Sequence, residues 1–247
     1  MKIAVLADIH ANLEALREVL DDIDAQCVAD VVSLGDSIGY GPNPEEVLRL
    51  LRARNIDQVA GNHESALIWP EDRVWFNPTA RTALSKTESL LSASSLDYVK
   101  TLPKAFSRHG CLFVHGCPPD SARQYIYELK DDALRQRFET FPQQLCFVGH
   151  THALELMSLA AGNIQRLALS KGIWDLAADK RYIINAGSVG QPRDGDPRAK
   201  YLLWEPEARL LYVRYVPYDV ATTAAKILAR GMPEQYARRL WGNSPPE

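Results

Sequence analysis

A strand, loop and helix unit occurs twice near the start of this chain, and an aspartate stands just past each strand. Met1 to Ala7 is an apolar run bounded by Asp8 and reads as a buried strand. Asn12 then caps an amphipathic helix whose Leu13, Leu16, Val19, Leu20 and Ile23 recur at helical spacing. Val31 to Leu34 opens the second unit, followed by a loop rich in Gly and Pro and a helix started by Pro44 that carries Val47, Leu48, Leu50 and Leu51. A short third strand, Gln58 to Ala60, ends at Gly61. Strands alternating with helices predict a largely parallel sheet, whose ligands gather at the carboxyl ends of the strands. Asp8, Asp36 and Asn62 all lie there.

Ser65 to Leu102 has a helical pattern, with Pro78 opening one helix, and reads as an insert ahead of a β-rich half. In that half, Cys111 to Val114, Leu145 to Val148, Leu154 to Leu159, Ile164 to Leu169 and Arg181 to Ile184 read as strands. Tyr201 to Trp204 and Leu210 to Val216 read as a hairpin about Glu205 to Ala208. Val220 to Ala229 and Glu234 to Leu240 return to helix, and Asn243 to Glu247 are expected to fray. A length of 247 residues with 46% hydrophobic content suits one large α/β domain over 1–247, with the helical insert at about 65–102 and C-terminal helices at about 219–241. The exposed surface of the Leu210 to Val216 strand is a candidate for pairing with a partner. A net charge of −3 gives no polybasic surface, so nucleic acid is not a favoured partner. Asp8 and His10 interrupt the first apolar run far short of a signal-peptide core or the ~20 residues of a membrane helix, which predicts a cytoplasmic protein with no membrane partner. Cys27, Cys111, Cys117 and Cys146 form no CxxC pair and are expected to be reduced core thiols.

Five of the six histidines fall at strand-to-loop boundaries beside Gly, Asp or Asn: Asp8-Ile9-His10, Gly61-Asn62-His63-Glu64, His115-Gly116 and Gly149-His150-Thr151-His152. Imidazoles and carboxylates converging where apolar strands end need a strong common partner, and a divalent metal is the obvious one. If Asp-x-His and His-x-His are extended, alternate side chains face one side, so Asp8 with His10 and His150 with His152 look into one site. Gly35, Gly61, Gly116 and Gly149 flank these positions, where a missing Cβ allows tight turns and close backbone approach. Asp36, with two anionic oxygens, is placed to bridge two cations. His109, in Ser107-Arg108-His109-Gly110, reads as a hairpin-turn residue.

The ordered series Asp-x-His, Gly-Asp-x(n)-Gly, Gly-Asn-His-Glu, His-Gly and Gly-His-x-His, complete from residue 8 to residue 152, resembles the calcineurin-like metallophosphoesterase superfamily. The block Asn185-Ala186-Gly187-Ser188-Val189-Gly190-Gln191-Pro192-Arg193 looks like its compact bacterial and archaeal phosphodiesterase branch. The resemblance implies a four-layer α/β/β/α sandwich of two mixed sheets flanked by helices. It also implies one metal on Asp8, His10, Asp36 and His152 and another on Asp36, Asn62, His115 and His150. Serine/threonine protein phosphatases of the superfamily carry an arginine in the loop after the bridging aspartate, where this chain has Gly39-Tyr40-Gly41, which weighs against a dedicated protein phosphatase.

The expected activity is hydrolysis of a phosphodiester or phosphomonoester. Two divalent ions would acidify a bridging water that attacks phosphorus in line, and His63 would protonate the leaving oxygen as general acid. Mixed oxygen and nitrogen ligands suit Mn²⁺, or Fe, Zn²⁺ or Co²⁺, better than Mg²⁺ or Ca²⁺. The partner is a phosphate ester, with nucleotides among the candidates, and Arg193 and Arg198 could grip its phosphate through charge-assisted bonds. Trp69, Trp75 and Phe76 are expected to form the core of the insert rather than to stack on a base. The competing readings are a phosphoprotein or dinucleoside-polyphosphate phosphatase and, from another class, a non-catalytic interaction scaffold of the same fold.

Overall fold

The computed structural model describes residues 1–243. In chain order the elements are β1 (Lys2–Leu6), α1 (Leu13–Asp24), β2 (Val28–Ser33), α2 (Pro44–Ala53), β3 (Asp57–Gln58), α3 (Asn62–Ile68), α4 (Pro78–Leu90), α5 (Ala93–Val99), β4 (Ala105–Arg108) and β5 (Cys111–Val114). They continue with α6 (Asp131–Glu139), β6 (Leu145–Val148), β7 (Leu154–Ala160), β8 (Asn163–Ala168), β9 (Gly172–Asp175), β10 (Arg181–Ala186), β11 (Ala199–Glu205), β12 (Leu210–Val216), α7 (Val220–Ala229) and α8 (Glu234–Arg239). The helix starts follow from their caps: Asn12 Oδ1 accepts from the Ala15 amide at 3.1 Å, and Pro44 occupies the first turn of α2, where a missing N–H costs nothing.

Two six-stranded mixed sheets form, ordered β3-β2-β1-β11-β12-β9 and β4-β5-β6-β10-β7-β8. Period-two alternation within the strands decides how they stack. In β1, Ile3 and Val5 join Phe113, Phe147, Ile184, Leu202 and Val213 in a core between the sheets, while Ala4 and Leu6 point the other way, into Leu16 and Val19 of α1 and Val47 and Leu51 of α2. On the far sheet, Leu112, Val114, Cys146, Val148 and Ile183 pack against Leu134 and Phe138 of α6. The layers are therefore α/β/β/α. Within them β1, β2 and β3 are parallel, as are β5, β6 and β10, and the loops that leave all six converge on one edge.

Several elements differ from the sequence reading. β4 and β9 fall in polar or short stretches that carry little alternation, and α6 has few apolar residues to mark it. β9 pairs with Leu210 to Val213 of β12, so along that stretch the Leu210 to Val216 strand lies between two strands of its own sheet. His109 does sit in the turn between β4 and β5, in the left-handed conformation, and it meets Asp30 Oδ2 at 2.7 Å. Cys111, Cys117 and Cys146 are buried and free, but Cys27 is exposed, because it lies in the turn leading into β2 and not in an apolar layer. Of the terminal segment expected to fray, residues 244–247 lie outside the described residues, whereas Asn243 is anchored: its amide donates to the Gly195 carbonyl at 2.9 Å. No described helix is long and apolar enough to cross a membrane.

Candidate metal centre

Each candidate ligand stands on a loop just past a parallel strand: Asp8 after β1, Asp36 after β2, His115 after β5, and His150 and His152 after β6, while Asn62 opens α3. Contrary to the extended reading, Asp8-Ile9-His10 and His150-Thr151-His152 do not alternate as strands do. Asp8 (φ 53°), His10 (φ 47°), Asp36 (φ 50°), His150 (φ 68°) and His152 (φ 62°) all take left-handed backbone. That conformation costs of order 1–3 kcal/mol for a residue with a side chain and persists only where the surroundings fix it. Here it turns side chains from successive loops inward. Close approach demands glycine: a Cβ on Gly61 would overlap the Asp36 carboxylate, and one on Gly39 the His63 ring.

The histidine geometry is directional. His10 Nδ1 lies 3.1 Å from the Ile38 carbonyl, His115 Nδ1 2.7 Å from that of Leu34, His152 Nδ1 2.6 Å from that of Gln191, and His150 Nε2 3.1 Å from that of Arg123. A carbonyl only accepts, so each of these nitrogens carries a proton, and in the neutral ring the opposite nitrogen presents a lone pair. Those opposite nitrogens meet one another: His10 Nε2 is 3.1 Å from His152 Nε2, and His115 Nε2 is 3.2 Å from both His150 Nδ1 and Asn62 Oδ1. Asp8 Oδ1 is buried with no hydrogen-bond partner and lies 3.4 Å from His152 Nε2 and 3.8 Å from His10 Nε2. Asp36 Oδ2 lies 3.3 Å from His115 Nε2 and 3.8 Å from His10 Nε2 and so touches both groups. Lone pairs and an orphaned carboxylate oxygen at these separations repel unless a cation or a proton lies among them. The donor set fits divalent metal, and Asp8, His10 and His152, like Asp36, His115 and His150, lie close enough together to hold an ion.

Protonation follows the same logic. Burial pushes Asp8 up to about 8. Burial also opposes the charged form of Asp36, but His115 and His63 outweigh it and hold Asp36 well below the usual carboxylate range. Burial acts against the charge on His115 too, yet Asp36 beside it lifts its pKa to about 9. His10 and His152 are held well below the ordinary histidine value by burial, and His150 falls to about 3 for the same reason.

His63 is carried into this group by its own backbone, whose amide donates to Asp36 Oδ1 at 2.9 Å. Its ring centroid lies 4.9 Å from His10, 4.4 Å from Tyr40 and 4.9 Å from Phe76, and burial lowers its pKa to about 4 against the pull of Asp36. Arg193 sends its charge toward Asp8, His10, His63 and His152. Arg198 instead pairs with Asp196 and lies over the Tyr215 ring at 4.9 Å.

Three supports carried no role in the sequence reading. The buried Glu64 carboxylate accepts from the backbone amides of Asp36 (2.9 Å), Ser37 (2.9 Å), Ile38 (3.2 Å) and Gly61 (2.8 Å), tying the Asp36 loop to the start of α3. A glutamate three residues after Gly61 was the available signal, since that is the spacing of a helix-capping acid. Asn185 Nδ2 donates to the Gly149 carbonyl and Thr151 Oγ1, both at 2.8 Å, and Ser188 Oγ donates to the Asp8 carbonyl at 2.8 Å, so the Asn185 to Arg193 block braces two ligand loops. Tyr40 and Tyr125 face the centre, the latter stacked on His150 at 4.0 Å.

Comparison with known proteins gives the family. The family model described as the calcineurin-like phosphoesterase superfamily domain matches residues 1–209. An uncharacterised protein of Methanocaldococcus jannaschii is 34% identical over 245 residues, covering 97% of each chain. A crystal structure of a metallophosphoesterase from Sphaerobacter thermophilus is similar at 39% identity and a TM-score of 0.83, over 98% of this chain and 99% of that one. A hypothetical protein from Pyrococcus horikoshii shares the fold at 18% identity and a TM-score of 0.79, over 99% of both chains. By the family match and the extent of these likenesses, the chain belongs to the calcineurin-like phosphoesterase superfamily.

Proposed function

We propose that this protein is a two-metal phosphoesterase, with one cation held by Asp8, His10, Asp36 and His152, the other by Asp36, Asn62, His115 and His150, and Asp36 shared. The observation that carries the reading is that four histidines each spend one ring nitrogen on a backbone carbonyl and aim the other at a common centre. Divalent ions bound there supply Lewis acidity at a phosphoryl oxygen and make water more acidic.

The chain's own groups do the rest. Asp36 and Glu64 fix the ligand loops before substrate arrives, so little reorganisation is left for the reaction. Arg193 adds positive charge on the His152 side, where a phosphate oxygen gains a charge-assisted bond. Nδ1 of His63 is buried against Gly39, which leaves Nε2 to reach the ester. Burial keeps this ring neutral, and an arriving phosphate anion acts in the same sense as Asp36, favouring the protonated ring that can hand its Nε2 proton to the leaving oxygen. Mn²⁺ is the proposed assay metal.

The test combines metal analysis of the purified protein with hydrolysis of bis(p-nitrophenyl) phosphate and p-nitrophenyl phosphate under Mn²⁺, Fe²⁺, Zn²⁺ and Co²⁺. About two ions per chain and metal-dependent turnover are expected. A chain that binds none of these ions and cleaves neither ester is a scaffold instead.

A further inference from the structure

Beside the Asn62 and His150 end of the centre opens a cavity of about 520 Å³, within the range of small-molecule sites. Its walls are aromatic: Tyr40, Phe76, Trp75 and Tyr125. Phe76 is buried in the insert, as its sequence suggests, but Trp75 is 71% exposed and packs into no core. An indole left in water on the rim of a cavity needs an explanation, because burying it would stabilise the fold. It is held in place nonetheless. The Arg123 guanidinium lies 5.3 Å from the Trp75 ring centroid and is itself fixed by Asp72 Oδ1 at 2.7 Å.

The same loop reaches the metal centre. The Arg123 carbonyl accepts from His150 Nε2, and Tyr125 stacks on the His150 ring. Polar groups are interleaved with the aromatics. Asn77 commits its carbonyl to capping α4, and Gln124 commits its carbonyl to Arg137 at 3.0 Å, so each keeps its NH₂ for a ligand, while Glu128 brings an acceptor to the same cavity. Flat π-faces with donors and an acceptor around them match a heteroaromatic base, which stacks on its faces and hydrogen-bonds along its edge. A simple alkyl ester would leave these polar groups to water.

We infer that this cavity binds the base of a nucleotide ester, with Trp75 as its stacking platform, while the phosphate lies at the metal centre. The inference rests on the phosphoesterase reading for its choice of ester, and on the cavity alone for the base.

The test compares wild type, Trp75→Ala and Trp75→Phe. On the Mn²⁺-loaded protein, kcat/KM is measured for adenosine 5′-monophosphate and the dinucleotide ApA against glycerol 3-phosphate and glycerophosphocholine. In parallel, binding of adenosine, which carries no phosphate, is followed by calorimetry. Because Trp75 is exposed, its truncation leaves the fold intact. Stacking of one base is worth about 5- to 150-fold, so Trp75→Ala should lower kcat/KM for the nucleotide esters by that factor, mainly through KM. It should leave the glycerol esters within about twofold, and Trp75→Phe should recover most of the loss. Adenosine should bind wild type, and Trp75→Ala more weakly by about the same 5- to 150-fold. The inference is overturned if adenosine does not bind wild type, or if Trp75→Ala changes both ester classes alike. Adenosine binding without hydrolysis of any ester would keep the cavity and sink the phosphoesterase reading. Hydrolysis of glycerol esters without adenosine binding would do the reverse.

Discussion

The two ends of the candidate centre each offer two histidines and Asp36, and they differ in the remaining side chain, Asp8 against Asn62, and in what surrounds them. At one end Asp8, His10 and His152 are buried, and their loops are pinned from behind by Asn12, whose Nδ2 donates to the Gly190 carbonyl at 2.9 Å, by Ser188 and by the Gln191 carbonyl. At the other end Asn62 is only half-buried, and His150 is backed by the Tyr125 ring and the Arg123 carbonyl of a loop that also lines the open cavity. The first end resembles a structural ligand site, closed and over-determined. The second has one side left for a guest. The exchange of a carboxylate for an amide is one difference between the two; the second layer of contacts is the other.

The largest expected effect comes from the residue that belongs to both ends. Asp36→Asn removes the shared charge while keeping the size, so metal content should fall below one ion per chain and turnover should vanish. If two ions remain by elemental analysis, the ends do not share Asp36 and the comparison fails at its centre. His63→Ala comes next. It touches neither proposed ion, so metal content should persist while turnover of an ester with a poor leaving group drops by ~10²–10⁴-fold, and a leaving group that needs no proton should suppress the loss. An unchanged rate with the poor leaving group would remove His63 from the chemistry.

A smaller effect is expected from Glu64→Gln, which keeps the shape but replaces a carboxylate that accepts from four backbone amides with a group having one accepting oxygen. Residues that orient metal ligands typically cost 10–100-fold in affinity when changed, and Mn²⁺ affinity measured by competition with a chelator should fall within that range. The melting temperature of the metal-free protein should fall as well. A lower melting temperature with unaltered Mn²⁺ affinity would make Glu64 a helix cap and nothing more.

Much of this is legible in the sequence because the candidate ligands stand where short apolar runs break off. Asp8, Asp36, His115, His150 and His152 stand one to four residues past apolar strands, and β1 and β5, apolar almost throughout, read as strands covered on both faces. What the pattern did not carry is of two kinds. The left-handed backbone at Asp8, His10 and His152 is held by contacts from other loops, from the His10 to Ile38 and His152 to Gln191 bonds to the His10 to His152 approach 142 positions apart, and no local propensity announces it. Trp75 was misjudged for a related reason: an aromatic residue in a short helical insert is normally core, and only the position of Arg123, on a distant loop, makes it a rim residue.

The smallest effect tests whether the two ends load their ions by the same proton exchange. In the metal-free protein burial places Asp8 at about 8, at the closed end, and Asp36 lifts His115 to about 9, at the open end. A metal needs Asp8 ionised and His115 neutral at Nε2, so each ion must displace a proton. Filling both ends near neutral pH should therefore release about two protons per chain, read from binding heats in buffers of different ionisation enthalpy. Affinity at the closed end should stop rising above about 8, and at the open end above about 9. Stability moves with the same protons. Both folded values lie above the ordinary ones of 3.8 and 6.5, so at these two groups the folded chain holds more protons than the unfolded chain, and the stability they contribute is complete below their ordinary values and is lost as pH rises through the folded ones. Between pH 6.5 and 9 the melting temperature of the chelated protein should thus decline, while the Mn²⁺-loaded protein, with cations in place of those protons, should hold level. Parallel curves for the two forms would mean that metal and proton do not compete for the same atoms, and the two ends would then differ in more than one side chain and their surroundings.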